Sequence, residues 1–211
     1  MSNRFNKFSV PLGLLDYVNP VCYSITAITI IKNTYSAMER PYNIILLAGA
    51  VISVFFGLII PTGKVLVGLG IIKFVMPVSL VFCVNTGILM TGLMLLRFVR
   101  DLSRAGTVIL TALIIAVLIY IYSKSRKINT VAVLTGAAGY LMIYTSLITL
   151  SLKQGATAPV VMYAAAIALF VMLCGIGIRA DLKNPKVHWV IEISNVICQF
   201  LVAAATVILF A

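Results

Sequence analysis

The chain has 211 residues, and its 16 Lys and Arg against 5 Asp and Glu give a formal net charge of +11. Only 10% of the residues are charged, 62% are hydrophobic, and the mean hydropathy is +1.14. Soluble domains are about half apolar and about a quarter charged, so this composition excludes a soluble domain, a disordered chain and a disulfide-stapled secreted module. Because the cations lie between long apolar runs, we expect no nucleic-acid partner. The expected fold is an all-α, polytopic helical bundle in a lipid bilayer.

The N-terminal residues include Arg4 and Lys7 but no uninterrupted apolar run that ends at a small-residue cleavage site. We therefore expect no cleavable signal peptide. The four cysteines are widely spaced inside apolar runs, without a Cys–Cys or Cys–His spacing typical of metal or redox sites. We expect buried free thiols that behave as small hydrophobic groups.

The apolar runs between charged residues predict seven membrane helices in one domain, residues 1–211, with no soluble domain. A spanning helix needs about 20 mostly apolar residues, because each residue rises about 1.5 Å and the hydrocarbon core is about 30 Å thick. In chain order the predicted spans are 15–31, 44–60, 74–96, 107–122, 129–150, 159–178 and 188–210.

The region 65–99 is too long for one simple span and short for two. In one interpretation Lys73 precedes a single span, and residues 65–72 are interfacial or extend the preceding helix. In the other, a hairpin at Asn85-Thr86-Gly87 gives two short spans and eight in total. Since Lys and Arg concentrate in short cytoplasmic loops, the split of cations decides. Seven spans place ten cations on the N-terminal side against six, whereas eight spans leave Lys73 inside a membrane helix and give seven against eight. We therefore predict seven spans and a cytoplasmic N-terminus.

Seven spans can be divided as three, one and three, with the short fourth span, 107–122, as a linker between cations. Both third helices then contain a mid-membrane asparagine, Asn85 and Asn195. This layout is similar to that of SWEET-type sugar facilitators, which also arrange seven helices as three-one-three. The similarity is one of architecture alone, because the chain has no Pro-Gln repeat signature and that layout implies an N-terminus outside the cell.

The last predicted helix has the sharpest polar pattern. His188, Glu192, Asn195 and Gln199 fall at i, i+4, i+7 and i+11, so all four lie on one helical face. Polar side chains inside a membrane usually face the interior of the bundle and often mark function. The stripe therefore indicates either the wall of a water-filled cavity or a seam that hydrogen-bonds a neighbouring helix or a partner subunit.

Two other polar groups are expected at the depth of Glu192. Lys73 opens the predicted third helix from the same side, and a Lys73–Glu192 ion pair would lower the free-energy cost of burying both charges. Asp16 and Asn19 share a face of the first helix beside Pro20, which would kink that helix. Kinked helices with nearby polar groups line binding sites in transporters. The simpler interpretations are that Lys73 extends to the headgroups and that Asp16 interacts with the helix dipole.

Gly136-Ala137-Ala138-Gly139 is typical of a smooth surface for close helix packing. No nucleophile elbow, HExxH motif, P-loop or dinucleotide fingerprint is present. A single histidine and no neighbouring cysteine indicate no metal site, and we expect no cofactor.

The first functional hypothesis is a transporter or channel-like protein that moves a small solute or ion through a cavity lined by helices 1, 3 and 7. Its candidate pathway residues are Glu192, Asn195, Gln199, Asn85, Lys73, Asp16 and Asn19. The second hypothesis is a non-catalytic membrane subunit whose polar stripe binds another subunit or a second copy of the chain. The third is a membrane enzyme that acts on lipid. Five acidic residues leave little for catalysis, so an enzyme is the less favoured class.

Overall fold

The computed structural model describes residues 10–73, 78–179 and 185–211, with residues 174–179, 185–186 and 188 described by their backbone alone. The described chain is almost entirely helical. Its helices are α1 Val10–Asp16, α2 Val18–Thr34, α3 Tyr42–Gly68, α4 Val78–Arg100, α5 Arg104–Ser125, α6 Ile128–Lys153, α7 Thr157–Arg179 and α8 Pro185–Phe210. A 3₁₀ turn, Tyr35–Ala37, follows α2.

These helices form a seven-span bundle, because α1, α2 and the 3₁₀ turn together make one membrane-length segment, Val10–Ala37. Six segments are long and apolar enough to cross a membrane, and the described apolar part of α7, Thr157–Leu173, is shorter. The prediction of an all-α membrane bundle with seven helices is confirmed. The eight-span alternative is wrong, since α4 runs without interruption through the proposed hairpin at residues 85–87.

Six spans form a closed ring, and the fourth lies outside it. The α1–α2 segment packs on α3, α3 on α4, α4 on α6, α6 on α7, α7 on α8, and α8 again on α1 and α2. Among the described residues, α5 contacts only α4 and α6, and Thr107 is its single buried residue. A peripheral fourth helix is what the three-one-three division expects of a linker.

Glycines allow α4 to approach both of its neighbours closely. A Cβ atom on Gly139 of α6 would lie 2.6 Å from the backbone nitrogen of Leu89 on α4. A Cβ atom on Gly87 of α4 would lie 2.9 Å from the backbone nitrogen of Ser53 on α3. Without an apolar driving force between helices in lipid, such backbone contact and its dispersion attraction hold a membrane bundle together. The smooth surface expected from Gly136 to Gly139 therefore packs on α4.

Two prolines act differently from the sequence-based expectation. The first helix is interrupted at Tyr17, between α1 and α2, and not at Pro20. Pro20 lies in the first turn of α2, where its missing N–H removes no helical hydrogen bond. Pro61 does not end the second span at residue 60, because α3 continues through it to Gly68. Part of the segment 65–72 therefore extends that helix, and Lys64 lies inside it.

Candidate functional site: a polar cavity beside a buried ion cluster

Three charged side chains from three spans meet near one end of the bundle. The ammonium nitrogen Nζ of Lys64 on α3 lies 2.7 Å from Oδ2 of Asp16 on α1 and 2.9 Å from Oε1 of Glu192 on α8. The side chains are 12% exposed for Lys64, 12% for Asp16 and 13% for Glu192. We call these three residues the ion cluster. Two carboxylates and one ammonium group give it a formal charge of −1.

The chain folds to form this cluster because consecutive spans run in opposite directions. Asp16 lies soon after the chain enters the bundle, Lys64 lies just before α3 leaves it, and Glu192 lies two turns into α8. All three therefore lie near the same end of the bundle, called the N-terminal side below. Close packing fixes the depth, since a Cβ atom on Gly13 would lie 2.9 Å from Cγ2 of Val65.

Of the two interpretations of Lys73, the ion pair with Glu192 is wrong. Glu192 pairs with Lys64, while Lys73 is exposed beyond the end of α3. Sequence reasoning missed Lys64 because Pro61 and Gly63 suggested a loop around it. The apolar residues 65–69 after Lys64 were the signal that the helix continues, and a lysine flanked by apolar residues within a span needs a buried partner.

A cavity of about 190 Å³ lies next to the ion cluster, and Asp16 belongs to both. Side chains from five spans line it, so it occupies the interior of the helical ring. Its polar lining includes the amides of Asn19, Asn85 and Asn195, which three separate spans contribute. The remaining lining residues are Pro20, Tyr23, Ser53, Gly57, Ile60, Val81, Val84, Ile88 and Tyr140.

The cavity occupies only the N-terminal side of the bundle and its middle. An aromatic layer closes its inner end, where Tyr140 packs against Tyr23 with ring centroids 6.4 Å apart and against Tyr144 at 5.7 Å. Phe170 on α7 completes the layer, 5.6 Å from the Tyr140 ring. Beyond it the bundle is filled with fully buried side chains, which include Leu46, Leu95, Leu147, Tyr163 and Val202.

The polar stripe on α8 faces the interior of the bundle. Glu192 joins the ion cluster, Asn195 lines the cavity, and Gln199 is 3% exposed beside Tyr140 and Tyr144. The side chain of His188, which begins the predicted stripe, lies outside the described residues. The opposite face of α8 is apolar and exposed, as expected for contact with lipid, with Val190, Ile193, Ile197 and Phe200 on it.

The two polar residues predicted on the first helix also meet at the cavity. Asn19 Nδ2 donates a hydrogen bond to Asp16 Oδ1 over 3.0 Å, which orients both side chains. The other end of that amide, Asn19 Oδ1, is buried and accepts no hydrogen bond from the described residues. Asn85 has its amide fixed differently, because its Nδ2 donates to the Ala132 carbonyl at 2.8 Å. Asn19, which lines the cavity, therefore has a buried acceptor without a donor among the described residues.

A second polar cluster lies at the far end of the bundle. The Arg97 guanidinium lies 3.8 Å from the centroid of the Tyr42 ring, and it donates to the Thr107 hydroxyl at 3.1 Å. Glu39 lies 3.9 Å from Arg97 and 3.8 Å from Arg104. These contacts tie the ends of α3, α4 and α5 together, and a second cavity, of about 240 Å³, lies among Tyr42, Arg97 and Phe98.

Comparison with known proteins adds no relative: no protein-family model, curated protein or solved structure matches the chain. Within the residues that the structure describes, no group of three or more His, Cys, Asp or Glu side chains could hold a metal ion.

Proposed function

We propose that this protein is a membrane carrier that moves a small solute through the cavity between α1–α2, α3, α4, α6 and α8. The observation that carries the proposal is a cavity inside the bundle that three amides help to line, beside a buried ion cluster and next to the aromatic layer. Buried amides and charges are costly in a membrane, and they are retained chiefly where water or a solute must be accommodated.

The one-sided cavity supports a carrier over an open channel. A channel requires a continuous polar path, whereas here the far half of the bundle contains fully buried side chains such as Leu95 and Leu147. A carrier alternates between states that open to either side by rocking or gating of its helices around a central site. In this proposal, the described state is the one with access from the N-terminal side.

The interior position of the α8 stripe favours a carrier over a non-catalytic subunit. A stripe that bound another subunit would have to face outward, but Glu192 and Gln199 contact residues of their own chain. We also propose that the N-terminal side is cytoplasmic, because the seven-span topology assigns nine of the fifteen cations other than the buried Lys64 to that side.

Cysteine labelling tests the carrier. Asn195→Cys is introduced into a variant without the native cysteines, and a charged maleimide is applied to right-side-out and inverted vesicles. A carrier predicts fast labelling from the N-terminal side and slower labelling from the opposite side, because the cavity opens to each side in turn. Ser146→Cys, in the closed half, and Phe200→Cys, on the lipid-facing surface, are the matched controls. Labelling of Asn195→Cys from one side alone under all conditions would mean a static cavity and no carrier.

A further inference from the structure

We propose that the cavity binds a small primary ammonium compound, whose charged group lies at Asp16 and Asn19 and whose hydrocarbon body fills the rest of the space. This assignment names the solute class of the carrier proposed above and rests on that function. The binding itself is measured without transport, so the two ideas fail separately.

Charge is the first reason for an ammonium ligand. Among the residues that the structure describes, the ion cluster has two carboxylates but one ammonium group, so its formal charge is −1 in a region with little water. An uncompensated charge in such surroundings is unfavourable by several kcal/mol. One monovalent cation brings the cluster to neutrality, whereas a neutral solute leaves the imbalance and an anion increases it.

Hydrogen-bonding capacity gives the second reason. Asn19 Oδ1 is buried without a donor among the described residues, and the Asp16 carboxylate has lone pairs beyond those that meet Lys64 and Asn19. The Asn19 carbonyl oxygen therefore lacks a donor among the described residues, although Lys64 and the Asn19 amide both donate to Asp16. A primary ammonium group brings three N–H donors and no acceptor, which matches two acceptors from neighbouring turns of one span.

The size and walls of the cavity exclude a bare alkali ion as the best-fitting occupant. A cavity of about 150 Å³ is enough for a benzene ring, and this one measures about 190 Å³. The aliphatic side chains of Ile60, Val84 and Ile88 and the rings of Tyr23 and Tyr140 line the part away from Asp16. These surfaces fit a short hydrocarbon body, and tyrosine rings add attraction for a nearby cation.

Lys64 shows within the protein itself how a primary ammonium group binds at Asp16. Its side chain ends in a primary ammonium group, and that group already lies 2.7 Å from Asp16. Since Lys64 also contacts Glu192 at 2.9 Å, it keeps one carboxylate partner if a ligand takes its place at Asp16. We infer that Lys64 is a built-in competitor that occupies the binding position of the ammonium group until the solute displaces it.

The test measures thermal unfolding of the full chain in detergent with benzylammonium or butylammonium chloride. Benzyl alcohol and butanol are the neutral controls for partition into detergent, and sodium chloride keeps the ionic strength constant. A ligand that binds the folded state raises the melting temperature in a saturable way. We expect such a rise for the ammonium compounds and none for the alcohols.

Substitutions locate the binding. Asp16→Asn should raise the concentration of ammonium compound needed for half of the melting-temperature rise by at least about tenfold, because the main counter-charge is lost. Lys73→Met, at an exposed position, should leave that concentration unchanged. Lys64→Met should lower that concentration by at least about tenfold, since the competing ammonium group is gone. If Lys64→Met does not fold, comparison of Asp16→Asn with Lys73→Met decides.

Three results would overturn the assignment. They are equal shifts with ammonium compounds and alcohols, an ammonium effect that Asp16→Asn leaves intact, and stabilisation by acid alone, which would mean that a proton neutralises the cluster. If ammonium compounds bind saturably but Asn195→Cys is labelled from one side alone, the carrier is rejected and the ligand class stands. If Asn195→Cys is labelled from both sides but ammonium compounds do not raise the melting temperature, the ligand class is rejected and the carrier stands.

Discussion

Lys64 and Glu192 are 128 positions apart in the chain, yet Nζ of Lys64 lies 2.9 Å from Oε1 of Glu192. This pair joins the end of the second span to the beginning of the seventh, and Asp16 extends it to the first. It is the point at which the two ends of the chain meet in the ring of helices. The stability of the bundle should therefore depend on the balance of these three charges.

We expect Lys64→Met to lower the free energy of unfolding by roughly 3–5 kcal/mol, because two buried carboxylates lose their cation. Thermal or denaturant unfolding in detergent measures the change. Lys73→Met is the matched control, with an expected change within about 0.5 kcal/mol because Lys73 is exposed. Adding Asp16→Asn and Glu192→Gln to Lys64→Met should restore most of the loss. Equal effects of the two lysine substitutions would contradict a buried ion cluster.

We expect Tyr163→Phe to lower the free energy of unfolding by about 0.6–1.7 kcal/mol, the range of interhelical hydrogen bonds in membranes. The hydroxyls of Tyr163 on α7 and Thr206 on α8 lie 3.0 Å apart, and both residues are fully buried. The Thr206 hydroxyl donates to the Val202 carbonyl, so Tyr163 is the donor of the pair and its removal leaves no unpaired proton. Tyr120→Phe, on exposed α5, should have no measurable effect, and a similar loss there would reject the assignment.

We expect Gly139→Ala to destabilise the bundle by about 1–3 kcal/mol through overpacking. The new methyl group would lie 2.7 Å from the Leu89 Cα atom, where backbone atoms cannot move aside as a side chain does. Gly106→Ala is the control, because its nearest neighbour is the Ser103 hydroxyl at 3.3 Å on the peripheral α5. A melting temperature unchanged by Gly139→Ala would mean that α4 and α6 lie further apart.

The orientation of the bundle is tested by labelling single cysteines in intact cells. Lys127→Cys lies in the exposed connection between α5 and α6 on the N-terminal side, and Gln154→Cys lies in the exposed connection between α6 and α7 on the other. With a cytoplasmic N-terminus, an impermeant maleimide should label Gln154→Cys alone until the cells are permeabilised. Labelling of Lys127→Cys alone would reverse the orientation.

The sequence predicted the membrane class and the number of spans, because a helix that crosses a bilayer must be long, apolar and bounded by polar residues. It also predicted one polar face on the last helix, since Glu192, Asn195 and Gln199 fall at helical spacing, but it left open whether that face lines a cavity or contacts a partner subunit. Span boundaries predicted from proline positions were less reliable. Pro61 suggested a boundary, but α3 continues because packing on its neighbours outweighs the loss of one hydrogen bond.

The sequence by itself therefore determined that the protein lies in a lipid bilayer, the number of its spans, and the helical face that Glu192, Asn195 and Gln199 share. Only the tertiary structure decided that Lys64 and not Lys73 meets Glu192, and that Asn19, Asn85 and Asn195 line one cavity. The physical reason is that hydropathy and helical period fix the depth and direction of a side chain within its own helix. Which helices are neighbours depends on packing at positions such as Gly87 and Gly139, where the backbones touch.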